Sequence, residues 1–178
     1  MNKIVVNIGR FLIFITLQVL ICNYISLFHF LNPYVYIFCL LFLPIEVPKV
    51  CQYIIAFFTG LIIDFFALSY GVHTFACLIL MFVKPYLINR LNGQKSVKEK
   101  DFQIFENKPF KWMLIYVVTL TFLHHLLVVF LEVFSFHSFF ISLSVVVGNT
   151  ILTTTLILAI HYIISPTTKK TSSSSTKH

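Results

Sequence analysis

Residues 50–68 read VCQYIIAFFTGLIIDFFAL, nineteen residues with one charge, Asp64. As a helix this stretch rises about 28 Å, close to the thickness of a bilayer's hydrocarbon core. It is apolar on every side, so no face is reserved for water. A chain that buries such a helix needs either a large protein interior or lipid. Working outward, further apolar runs occupy 11–30, 31–44, 72–91, 110–130 and 138–164. Most of the chain is used up by these runs, so the surrounding solvent must be lipid.

Composition agrees. The 178 residues are 58% hydrophobic and 11% charged, with 21 Phe and 8 Tyr. Soluble domains carry about 25% charged residues. The expected fold is all-α, a polytopic six-helix transmembrane bundle over residues 1–164. The tail 165–178, rich in Ser, Thr and Lys, is expected to be disordered and cytoplasmic. Lys3 and Arg10 precede the first run, but that run exceeds the apolar core of a signal peptide and has no small-residue cleavage site. It reads as a retained first helix.

The second run is the anomaly. Asn32-Pro33 opens it and Pro44 closes it, leaving Tyr34 to Leu43 as helix. Ten residues cover about 15 Å, half the hydrocarbon thickness. Charge decides whether it crosses, because cytoplasmic loops collect Lys and Arg. If it crosses, Lys3, Arg10, Lys49, Lys84, Arg90, Lys95, Lys98, Lys100, Lys108, Lys111, Lys169, Lys170 and Lys177 all fall on one side. If it does not, the cluster from Arg90 to Lys111 faces the wrong way. The crossing topology, with both termini cytoplasmic, is therefore expected. The formal charge of +7 is explained by topology and anionic headgroups, and no nucleic-acid partner is implied.

No GxSxG, HExxH, P-loop or paired-carboxylate motif is present, and no nucleophile has a base beside it. Catalytic residues are expected to be none, and the chain is not expected to be an enzyme. Cys22, Cys39, Cys51 and Cys77 form no CxxC pair and read as small apolar residues. His124 and His125 point about 100° apart on a helix. With Glu132 they make too few ligands at the wrong spacing for zinc, so no metal and no cofactor are expected.

Asp64 is the most informative position. A carboxylate in hydrocarbon costs about 2.5–3.5 kcal/mol on insertion scales and needs compensation. It is either a partner, packing or ligand anchor or a structural hydrogen-bond acceptor for the turn that follows. Gly60 lies one turn earlier on the same face and allows a close helix approach. Gly71 sits where positive φ is useful. His73 is placed to meet Asp64 across the turn. Lys84-Pro85 should end or kink the fourth helix, with Lys84 reaching toward the headgroups.

Taken together, Arg10-Phe-Leu-Ile-Phe, Leu17-Gln18-Val19-Leu20, Asn32-Pro33, the short run ending at Pro44, Gly60-Leu-Ile-Ile-Asp64, Gly71-Val-His73 and Lys84-Pro85 resemble the MreD family of bacterial rod-shape-determining membrane proteins. The similarity covers about residues 4–164, and its specific part is 60–85. It implies a bundle similar to the substrate-binding subunits of energy-coupling-factor vitamin transporters, located in the bacterial cytoplasmic (inner) membrane. It also implies a non-catalytic scaffold role in cell elongation and lateral peptidoglycan synthesis. The partners would be an MreC-like bitopic protein, MreB, RodA and its transpeptidase. On that reading Gly60, Asp64, Gly71, His73, Lys84 and Pro85 are partner or packing anchors. The alternative is a ligand-binding subunit of a vitamin-type transporter, for which Gln18, Asn23, Asp64, His73 and Asn149 are the polar candidates. They look scattered in sequence. A membrane enzyme acting on lipid-linked substrates is a weaker third reading, since no complete site is visible.

Overall fold

The computed structural model describes residues 3–22, 32–44, 47–93, 108–133 and 139–164. Among them there is no strand. Helix α1 (Lys3–Leu17) widens into a π-helical turn (Gln18–Cys22), and α2 is only Ile37–Leu41. The long helices are α3 (Lys49–Ala67), α4 (Val72–Leu91), α5 (Phe110–Val133) and α6 (Phe139–Ile164). These four are long and apolar enough to cross a membrane, while α1 contributes the shorter apolar stretch Phe11–Leu20. The end of the expected first span, including Asn23, lies outside the described residues, as do 94–107, 134–138 and the expected tail 165–178.

Several details differ from the sequence reading. Helix α1 begins at Lys3, ahead of the expected start at 11, and only Ile37–Leu41 of the expected helix from Tyr34 to Leu43 is helical. Helix α5 runs three residues further than expected and so includes Glu132. Pro85 does not end α4, which continues to Leu91. Its missing N–H removes one helical bond.

Helices α3 and α4 form a tight hairpin. A Cβ on Gly60 would lie 2.3 Å from Thr74 Cα and 2.9 Å from the His73 carbonyl oxygen. The two backbones therefore touch, and only glycine fits at that crossing. Leu68, in the left-handed region at φ 57°, stops α3. Tyr70 and Gly71 follow at φ 51° and 96°. Three positive φ values in four residues reverse the chain abruptly.

The segment 32–44 fills the middle of the bundle. Tyr36, Ile37, Leu40 and Leu41 are wholly buried. Its direction follows from its neighbours. Phe38 packs on Phe14 and Val35 bonds to Gln18, so it runs antiparallel to α1. Tyr36 meets His73 and Leu40 meets Lys84, so it runs parallel to α4. Tyr36 meets His124 and Leu41 meets Tyr116, antiparallel to α5. Tyr34 meets Thr153 and Phe42 stacks on His161, parallel to α6.

Gly60→Ala is expected to destabilise the protein by about 1–3 kcal/mol, because the added methyl meets rigid backbone and not a movable side chain. Thermal unfolding in detergent checks this. A variant as stable as wild type would mean that the helices can separate without cost.

Candidate functional site

A five-residue helix cannot satisfy its own backbone, since the first four N–H and the last four C=O groups of any helix lack intrahelical partners. In hydrocarbon an unmet group costs several kcal/mol. Side chains from four other helices meet this need. Gln18 Oε1 accepts from the N–H groups of Val35 (2.8 Å) and Tyr36 (3.4 Å). Thr153 Oγ1 accepts from Tyr34 N–H, and Asn149 Oδ1 from Asn32 N–H. At the other end Lys84 Nζ donates to the carbonyls of Leu40 (3.0 Å) and Leu43 (2.8 Å), and the Tyr116 hydroxyl donates to Leu41 (2.8 Å). A cation at the carboxyl end of a helix also suits its dipole.

Lys84 thus departs from the expected headgroup contact. It is 2% exposed and caps α2. Of the scattered polar candidates, Gln18 and Asn149 prove to converge on the start of segment 32–44, and His73 joins them there through its side chain.

Asp64 takes the structural option left open by the sequence. Its Oδ1 accepts from Ser69 Oγ (2.6 Å) and His73 N–H (2.9 Å), and its Oδ2 from Thr74 N–H (2.8 Å) and Thr74 Oγ1 (2.6 Å). Gly71 occupies the N-cap of α4 and has no side chain to cap with. Asp64 supplies that cap from the preceding helix, placing a carboxylate on the positive end of α4. His73 meets Asp64 through its backbone only.

The His73 imidazole points to another group of residues. Tyr36 Oη lies 3.0 Å from His73 Nδ1 and 2.8 Å from His124 Nε2. His73 Nε2 is 3.9 Å from Glu132 Oε1, whose side chain is 43% exposed. The Tyr34 ring stands edge-on to His73, His124 and His125, with centroids 5.1–6.0 Å apart. His125 Nε2 pairs with Thr153 Oγ1 at 3.1 Å. Both His124 and His125 are wholly buried, and neither Nδ1 has a hydrogen-bond partner among the described residues. No group of three or more His, Cys, Asp or Glu among those residues is placed to hold a metal ion.

Sequence reasoning missed Tyr34 and Tyr36 as polar actors, and saw His124 and Glu132 only as poor metal ligands. Two tyrosines in a run too short to span, together with adjacent histidines deep in a later span, were the available signal.

The chain matches no protein-family model, no curated protein and no solved structure.

Two substitutions test the assignments. Asp64→Asn keeps one acceptor oxygen and turns an amide N–H₂ on one backbone N–H and one hydroxyl, with an expected cost of about 1–3 kcal/mol; Asp64→Ala should cost more. Equal melting temperatures for all three proteins would remove the carboxylate from the hairpin's support. Lys84→Met keeps the apolar stem but strands two carbonyls, again at about 1–3 kcal/mol. Maleimide labelling at buried Cys39, read by mass spectrometry, should then accelerate. Unaltered labelling would show that α2 holds without the cap.

Proposed function

We propose that this chain is a non-catalytic scaffold of the bacterial cell-elongation complex, acting through partner binding in the manner of MreD-like proteins. One observation carries the reading. Within the specific part of the family resemblance, Gly60 to Pro85, the residues Gly60, Asp64, His73 and Lys84 are spent on internal contacts. A carboxylate has about four acceptor sites, and Asp64 fills them with Ser69, His73 and Thr74. No lone pair remains for a substrate, so the motif acts as a packing element that gives the hairpin one fixed shape.

On this reading the chain is a multi-pass protein of the cytoplasmic membrane, with six passes and both termini inside. Support comes from the alternating directions of α1, segment 32–44 and α3 to α6. It also comes from Lys49, Arg90, Lys108 and Lys111, which belong to one end of the bundle, with Asp64 and Glu132 toward the other. An MreC-like bitopic protein is the expected direct partner, and MreB, RodA and its transpeptidase complete the assembly.

A second reading is favoured by a different observation. Gln18, His73, Asn149 and Thr153 meet at the start of a discontinuous segment, and membrane transporters build ligand sites at such breaks. A ligand-binding subunit of a vitamin-type transporter fits that feature.

Depletion in the native bacterium should round the cells, and wild-type protein should restore rods. Asp64→Ala, supplied at matched membrane levels, should leave them round. Unchanged shape on depletion would overturn the scaffold reading and direct attention to ligand-induced thermal shifts.

A further inference from the structure

Helices α4 and α5 stand side by side in the middle of a row. Helix α3 packs on one flank of α4, α6 packs on the far flank of α5, and α2 lies against both. Each middle helix therefore has one side left for lipid, and these two sides adjoin, facing away from α2. On α4 that side carries Phe82, Tyr86 and Arg90, all exposed and each one helical turn from the next. On α5 it carries Lys111, Ile115, Val118 and Phe122, exposed at the same helical spacing. Arg90 is in the last turn of α4 and Lys111 in the first turn of α5. Since the two helices are antiparallel, both strips change from apolar to cationic at the same end. Lys108 fills the gap between them. Its Nζ donates to Asn92 Oδ1 at 2.8 Å and lies 5.1 Å from the centre of the Trp112 ring. Tyr86 and Trp112 are residues of the kind that sit at the headgroup level. Arg90, Lys108 and Lys111 are thereby held at the depth of the phospholipid phosphates.

The charges at this end call for an anion. The first turn of α5 is the positive end of its dipole, where an acid is favoured, yet it holds Lys111 and no acid. Lys108 stands just ahead of it. Neither Arg90 nor Lys111 has a hydrogen-bond or ion-pair partner among the described residues. The described carboxylates, Asp64 and Glu132, belong to the opposite end of the bundle.

We propose that the lipid-facing side of α4 and α5 at this end is a binding site for one anionic phospholipid. Arg90, Lys108 and Lys111 take its headgroup phosphate, and an acyl chain lies along Phe82, Tyr86, Ile115 and Phe122. A phosphatidylcholine phosphate is already balanced by its own choline, so the cations select a headgroup of net negative charge. The bound lipid bridges two helices that Lys108 and Asn92 already tie together, and it relieves the repulsion between Lys111 and the start of α5. The site requires only that these helices cross a bilayer. It does not rest on a role in cell elongation.

The test is native mass spectrometry of the full-length protein released from nanodiscs of equimolar phosphatidylcholine and phosphatidylglycerol. Wild type should retain phosphatidylglycerol in preference. The double variant Arg90→Gln, Lys111→Gln alters two exposed side chains, so the fold should stand, and the preference should fall by at least about tenfold. Lys49→Gln removes an exposed charge at the same end but on α3, and should leave the preference as it was. Equal retention by wild type and the double variant overturns the site, and so does an equal loss in Lys49→Gln, which would mean attraction to surface charge in general. Trp112, the sole tryptophan, gives a second reading through its contact with Lys108. Its emission should change saturably as phosphatidylglycerol replaces phosphatidylcholine, and inorganic phosphate added to phosphatidylcholine nanodiscs should not reproduce the change. An emission indifferent to the lipid, or the same response to phosphate, also overturns the proposal.

Discussion

A backbone amide placed in hydrocarbon must find a partner, and segment 32–44 supplies only some of its own, from Ile37 to Phe42. The rest of the bundle is arranged around that need. It explains why α6, apolar along most of its length, buries Asn149 and Thr153 on one face. It explains a lysine held at 2% exposure, and a π-helical widening of α1 that begins at Gln18. Each is costly alone in a bilayer. Together they replace the water that an irregular backbone would otherwise require. Discontinuous backbone is tolerated at this depth because protein, not lipid, surrounds it.

The α3–α4 hairpin solves a second problem, how to reverse the chain in four residues and still cap the next helix. Gly60 lets the backbones touch, which brings the start of α4 within reach of Asp64. His73 ties the hairpin to the central segment. Its backbone N–H is held by Asp64 and its imidazole by Tyr36. A change in the hairpin therefore reaches α2 through one residue, without a chain of intermediaries.

Much of this could be read in the sequence where local rules govern. Helices α3, α4 and α6 fall within one residue of the apolar runs. Gly60, Asp64 and Gly71 disclosed a close crossing, an intramembrane acceptor and a left-handed turn from type and spacing alone. What escaped was whatever depends on which face meets which. Helices that are apolar all round carry almost no directional signal, so nothing marked Gln18, Asn149 and Thr153 as neighbours. Lys84 was misplaced because a long cationic side chain near a helix end has a local solution in the headgroups. The carbonyls it actually caps lie more than forty positions away. Glu132 fell outside the expected fifth run, which stops at Phe130, whereas the helix continues to Val133.

The anchoring of segment 32–44 also constrains how the protein is made. Asn32 and Tyr34 take their partners from α6, 117 and 119 positions downstream. While the ribosome is still adding α3, α4 and α5, those amides have no completed cradle, and lipid offers none. The segment has to wait near the membrane surface, or in the protected interior of the insertion machinery, until the last helix emerges. Its entry is then the closing step of assembly, and truncation before α6 would leave an early piece of the chain without its place.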